Sequence, residues 1–244
     1  MKSVKAVWVT GAGSKNGLGY AVGEAVEKKG YKAVRLDRAF GEGIQGVRLD
    51  ITDNKAVDRL FHDISDADVP VAIVNCAGVN ITGKFIDYTI GDVKKTFEVN
   101  VFGMFNVIQA YVKRAKDIEA PKYIINIGSD SANTPRTNSF AYCASKAAVQ
   151  MFTRSFARDL AADGFRTIEI DPSLIEKTDM DSYINSEAAR LSGQTEDQIW
   201  KYRLSKVPLG RASTPEEIAV WVPFLIEHGE YANGSCIRVT GGVI

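Results

Sequence analysis

The sequence is poor in the residues that bind metals and form crosslinks. It holds two histidines, His62 and His228, and three cysteines, Cys76, Cys143 and Cys236. The thiols are widely spaced and odd in number, so neither a disulfide framework nor a zinc knuckle is expected. Two histidines also argue against a His-rich metal centre. An excess of one charge is missing too. The 30 basic residues balance 30 acidic ones, which speaks against a partner made of nucleic acid or a membrane surface. No apolar run approaches the ~18 residues of a membrane span. The N-terminus enters a β-like run at Lys5–Val9 without an apolar leader, and no repeat or low-complexity linker interrupts the chain. These absences leave a globular protein expected in the cytoplasm. Its 244 residues suit a single α/β domain, with a core large enough to need no staples.

What is present alternates. Short β-branched runs fall at 6–10, 32–37, 47–50, 71–75, 123–129, 167–171 and 236–240. Several are apolar at consecutive positions, such as Val71-Ala72-Ile73-Val74, as strands covered on both faces of a parallel sheet require. Between them lie segments of helical period. Leu18, Ala21, Val22, Ala25 and Val26 share a face, and Gly30 is placed to end that helix. Leu60, Phe61 and Ile64 mark a second. A long helix is expected from about 90 to 116, and another after Tyr142. Thr214, Pro215 and Glu217 form a helix start with a capping box, and Pro223, inside the same apolar segment, should kink or shorten that helix. The Gly-rich connection from Asp37 to Asp50 is too short for a crossover helix. The pattern predicts a doubly wound, mostly parallel sheet of seven strands with helices on both faces.

The first strand candidate runs into Thr10-Gly11-Ala12-Gly13-Ser14-Lys15-Asn16-Gly17-Leu18-Gly19 and then a helix. Glycines there let the backbone turn sharply and approach a pyrophosphate at the helix N-terminus, although such turns also serve plain packing. Asp37 ends the second strand, where a carboxylate can accept both ribose hydroxyls of NAD and repel a 2′-phosphate. Arg38 pulls toward NADP; the carboxylate is expected to prevail.

Tyr142 and Lys146 stand four apart on one helix face. A free phenol has a pKa near ~10 and is a poor base at neutral pH. Lowering it by about three units takes roughly 4 kcal/mol of phenolate stabilisation, which an ammonium and an oxidised nicotinamide can both supply. A lone YxxxK is common in helices. Here Ser129 ends a strand thirteen residues upstream, at the sheet edge where ligands bind. Asn75-Cys76-Ala77-Gly78 ends another strand at that edge. Asn100 is a polar residue on an apolar stretch and needs a hydrogen-bonding reason.

Taken together these stretches resemble the short-chain dehydrogenase/reductase family, in its compact single-domain branch. The likeness spans nearly the whole chain. It includes the Gly-rich turn, Asp37, Asp50-Ile51, Asn75 to Gly78, Asn100, Ser129, Tyr142-Cys143-Ala144-Ser145-Lys146, and the tail from Pro208-Leu209-Gly210-Arg211 to Gly241-Gly242. The resemblance implies an NAD(H)-dependent oxidoreductase interconverting an alcohol and a ketone. It makes Tyr142 the proton donor and acceptor, Ser129 its partner on the substrate oxygen, and Lys146 the holder of the nicotinamide ribose. Asn100 would support a water-linked proton path. Gly11, Gly17, Leu18 and Gly19 would cradle the pyrophosphate, Asp50 and Ile51 border the adenine, and Asn75, Ala77 and Gly78 line the adjacent ribose. Pro172 and Ile175 would meet the nicotinamide. Homodimers or homotetramers through the long helices and last strand are implied as well.

The sequence also departs from the family pattern. Five residues separate Gly11 from Gly17, two more than usual, which leaves the contacts of Ser14 to Asn16 open. Pro172-Ser173 replaces the usual Pro-Gly, and the family threonine that meets the carboxamide falls at Lys177, one before Thr178. The segment 179–207, with Tyr183, Ile184, Trp200 and Tyr202, is expected to be a lid that sets specificity. Arg136 could pair with an anionic substrate or be a solvated loop residue. Met151 and its aromatic neighbours fit core or subunit interface, Cys143 a packing residue, and both histidines helix surface. An epimerase or dehydratase on the same scaffold and a non-catalytic NAD-binding regulator are the competing functions. The first usually has a larger C-terminal substrate region. The second predicts loss of Ser129, Tyr142 or Lys146, and all three are present.

Overall fold

The computed structural model describes residues 5–243. Its centre is a seven-stranded sheet in the order β3-β2-β1-β4-β5-β6-β7, and every pairing is parallel. The strands are β1 (Ala6–Thr10), β2 (Lys32–Asp37), β3 (Val47–Arg48), β4 (Ala72–Asn75), β5 (Lys122–Ile127), β6 (Phe165–Pro172) and β7 (Cys236–Val239). β5 is buried at all six positions, so its side chains pack on both faces, and Tyr123-Ile124-Ile125 is apolar on consecutive positions.

Helices α1 (Leu18–Glu27), α8 (Pro215–Ala219) and α9 (Trp221–His228) cover one face. Val7, Val9, Val22, Ile125, Ile168, Ile170 and Leu225 form the core there. On the other face lie α2 (Asn54–Asp63), α3 (Ile90–Phe97), α4 (Met104–Ala115) and α5 (Phe140–Asp159), over Trp8, Phe61, Ile73, Tyr111, Ile124 and Phe165. Two further helices, α6 (Asp179–Ser192) and α7 (Glu196–Leu204), occupy the stretch expected as a lid.

The helix expected across 90–116 is not uniform: six residues, Glu98–Gly103, form a π-turn between α3 and α4. π-turns cost regular hydrogen bonding and cluster at functional sites. The Thr214 capping box is present. α8 stops at Ala219, four residues before Pro223, where the proline ring would meet the carbonyl of residue i−4. β3 is only two residues long, and the rest of 38–50 is irregular. β6 begins at Phe165, earlier than the pattern at 167 implied, because Phe165 and Arg166 continue the ladder with Lys122 and Tyr123.

Candidate active site

Parallel strands aim their C-terminal ends at one sheet edge, where a doubly wound fold leaves a crevice. A cleft of about 1420 Å³ lies there, beyond the roughly 300–1,000 Å³ of a drug-sized pocket. At one end Gly11 turns out of β1 with φ +67°, and an added Cβ would sit 2.7 Å from the Ala77 backbone. Only glycine lets the chain turn this close. Gly17 caps α1 without any side-chain hydrogen bond, so the positive end of the helix is presented to the cleft that Gly11, Gly17, Leu18 and Gly19 line. Asp37 lines the same end, its carboxylate accepting from Gly13 N at 2.8 Å and Ala39 N at 3.3 Å. Asp50 and Ile51 form the neighbouring wall. The Thr52 hydroxyl and amide, both donating to Asp50, hold its carboxyl below the usual range.

At the other end stand Ser129, Tyr142 and Lys146. Tyr142 lies in the first turn of α5, and Ser145 Oγ donates to its carbonyl at 2.7 Å. Ser129 follows β5, receives the Ser131 amide at 3.1 Å and hydrogen-bonds the Tyr142 phenol. Lys146 is buried. Its Nζ donates to Ile127 O at 2.7 Å and lies 5.7 Å from the Tyr142 ring centroid. Desolvation pushes the Tyr142 phenol up to about 12, opposed by the Ser129 hydrogen bond and by Arg136. Desolvation lowers the Lys146 pKa, against the pull of Glu169 and Asp171.

Ala77, Gly78, Pro172 and Ile175 also line the cleft. Asn75 and Asn100 stand behind it. Asn75 donates to Asn126 Oδ1 at 2.9 Å. Asn100, in the π-turn, accepts from Val79 N (2.8 Å) and donates to Val79 O (2.9 Å) and Ser145 Oγ (3.0 Å). It therefore ties the turn after β4 to the helix of Tyr142, which is the hydrogen-bonding reason its position demanded.

The lengthened glycine loop finds a partner that local sequence does not show. Ser14 Oγ and Asn16 Nδ2 both donate to the carboxylate of Asp179, the first residue of α6. Lys177 takes φ +60° and points to solvent. Thr178, one later, is buried, caps α6 by accepting from Asp181 N at 3.0 Å, and lines the cleft. Arg136 pairs with buried Asp130 and so is not a spare cation awaiting an anion. Arg203 and Asp181 join α7 to α6 at 2.8 Å. Met151 is 60% exposed, which removes the core option for it. Sequence patterns also passed over Glu169 and Asp171, fully buried on β6. Their signal was available: two acids at alternate positions of a strand, interleaved with Ile168 and Ile170.

Comparison with known proteins agrees with this geometry. A family model described as short chain dehydrogenase matches residues 5–189. The chain is 32% identical over 234 residues to 2,3-dihydro-2,3-dihydroxybenzoate dehydrogenase of Escherichia coli (strain K12), covering 91% of this chain and 90% of that one. It is 31% identical to the 3-oxoacyl-[acyl-carrier-protein] reductase MabA of Mycobacterium tuberculosis, covering 98% and 92%. Among solved structures, a short chain dehydrogenase family protein from Francisella tularensis superposes with a TM-score of 0.85 at 28% identity, covering 98% of both chains.

Proposed function

Because the chain belongs to the short-chain dehydrogenase family, whose members are oxidoreductases acting on CH–OH groups, we propose that it interconverts a small alcohol and its ketone with NAD(H), using Tyr142 as acid and base. The contact between Ser129 and the Tyr142 phenol, with Lys146 one turn further along α5, carries this proposal.

The chain's own residues fit a dinucleotide. The uncapped start of α1 and the close turn at Gly11 suit a pyrophosphate, and Asp37 suits two ribose hydroxyls rather than a phosphate. When bound, the nicotinamide supplies or accepts the hydride. Ser129 fixes the substrate oxygen beside the phenol. In the reducing direction Tyr142 gives that oxygen a proton, and its raised pKa keeps it protonated at neutral pH for that purpose. In the oxidising direction it must take the proton, and Lys146 favours the phenolate as a nearby cation. Asn100 acts from behind by fixing the Val79 turn against Ser145.

The segment 179–207 serves as the lid that selects the substrate, with Met180, Ile184 and Tyr202 on its inner side. Exposed Phe102 and Met151 beside the Phe105–Phe152–Phe156 cluster favour a homodimer or homotetramer through α4 and α5. Three free thiols suit a reducing, cytoplasmic setting. A panel of sugars, steroids, cyclic polyols and hydroxy acids, assayed for NADH formation, tests the function. Turnover of at least one class supports it. Equal or tighter binding of NADPH than NADH in titration overturns the cofactor assignment.

A further inference from the structure

Alternation along β6 puts Ile168 and Ile170 into the core on the α1 side and turns Glu169 and Asp171 toward α5. The ladder register lines up Asn75, Asn126, Glu169 and Cys236 in one row across four strands. The neighbours in this row are chained by hydrogen bonds, although Asn75 Oδ1 lacks a donor among the described residues. Asn75 donates to Asn126, Asn126 to Thr153 Oγ1, and Thr153 to Val149 O, each at 2.9 Å. The two acids are not. Gln150 Nε2 reaches Asp171 Oδ2 at 3.4 Å, while both Glu169 oxygens and Asp171 Oδ1 lack a donor in hydrogen-bond geometry among the described residues; Thr153, beside Glu169, already donates to Val149 O.

Both carboxyl groups press on the same backbone atom. A Cβ added to Gly128 would collide with an oxygen of each, and their ligand oxygens lie within 4.8 Å of one another. Two bare carboxylates cannot both stay ionised at such a distance without water. One proton held between them supplies the missing donor and leaves a single negative charge. The adjoining residue, Ile127, carries the carbonyl that binds Lys146 Nζ. Two thiols also face this point, Cys76 just past β4 and Cys236 on β7. Burial pushes Cys76 up to about 12 and Cys236 up to about 11, so both are neutral. Arg154, on α5 beside Cys236, is exposed. Asp130 and Arg136 neutralise each other. Lys146 is thus left with the Glu169–Asp171 pair as its facing charge.

We propose that Glu169 and Asp171 are positioning residues, a proton-sharing carboxyl pair that acts as the fixed counter-charge of Lys146 and keeps it an ammonium. The proposal rests on the role given above to Tyr142 and Lys146. Without a counter-charge a buried ammonium loses its proton readily. The pair opposes that from behind the sheet edge, out of reach of substrate. Sharing a proton also makes its charge insensitive to which of the two acids is ionised.

The test compares Glu169→Gln, Asp171→Asn and the double variant with wild-type enzyme and Tyr142→Phe. The readout is kcat/KM for ketone reduction against pH. Either single amide stands in for the protonated partner and leaves one anion, so each single variant should stay within about threefold of wild type at neutral pH. The double variant removes the charge, and the alkaline limb of its profile should move down by about one pH unit or more. An unmoved limb in a folded double variant overturns the proposal, and so does a single variant as impaired as the double. If Tyr142→Phe is inactive in the same series, the dehydrogenase function survives that failure; if it keeps full turnover, that function falls too. A measurement on wild-type protein covers a double variant that does not fold. Its infrared spectrum at neutral pH should carry the band of a protonated carboxyl that Glu169→Gln lacks, and absence of such a band overturns the shared proton.

Discussion

Exchanging Glu169 for Gln removes one ionisation from the core while keeping the side chain's shape. Glu169 is fully buried. Desolvation, with Asp171 adding to it, raises its pKa from 4.5 to about 9. Between those values the folded chain keeps a proton that the unfolded chain has released. Stability must then fall as pH rises through the window, by about 1.4 kcal/mol per unit. From pH 5 to pH 8 the loss amounts to about 4 kcal/mol, a large share of the roughly 5–15 kcal/mol that holds a typical protein folded. The acids held low act in the opposite sense. Glu217, at about 2 beside Arg211, and Asp50 contribute stability that is lost only as pH falls below the ordinary carboxylate range. They leave this window clear. Urea unfolding followed by circular dichroism across pH 5 to 8 should show wild-type stability declining, with the Gln variant flat to within about 1 kcal/mol and the more stable of the two at pH 8. A variant that keeps the wild-type slope refutes the assignment of that slope to Glu169.

Asp37→Ser removes the carboxylate expected to hold the ribose hydroxyls. Binding of NADH in fluorescence titration should weaken by about tenfold or more, while NADPH binding holds or improves. Asn100→Ala leaves the Val79 amide and carbonyl without their side-chain partner and Ser145 Oγ without its donor, in a largely buried place. A loss of about 3 kcal/mol in denaturant unfolding is expected; an unchanged midpoint would contradict it. Asp179→Ala frees Ser14 and Asn16 from α6. Hydrogen exchange should speed up in the glycine loop and at the start of α6 together, whereas a change in only one of them would deny the link.

Much of this architecture could be read from local pattern because the parallel sheet imposes it locally. Runs such as Val71 to Val74 are apolar on consecutive positions since both faces are covered. Thr214, Pro215 and Glu217 mark a helix start through bonds that span three residues. What escaped depends on partners far along the chain. The π-turn at Glu98–Gly103 exists where Asn100 reaches Val79, and the helical pattern of 90–116 holds no trace of it. Asp179 lies more than 160 residues from the loop it binds. Lys177 adopts a left-handed backbone, a conformation its sequence does not announce, and Thr178 rather than Lys177 lines the cleft. In the candidate site, Ser129, Tyr142 and Lys146 were legible from spacing and strand ends. The sideways turn of Asn75 onto Asn126 was not, since the pattern gives the face of a strand residue but not its partner.

The central claim is that the Tyr142 phenol moves the proton, and Tyr142→Phe tests it with one oxygen atom removed. The measurement is kcat/KM with a substrate found in the panel, alongside NADH affinity of the same variant. Proton transfer through the phenol predicts a fall of at least about a hundredfold in turnover, with NADH affinity within about twofold of wild type because the ring keeps its packing. Turnover within about threefold of wild type would contradict it.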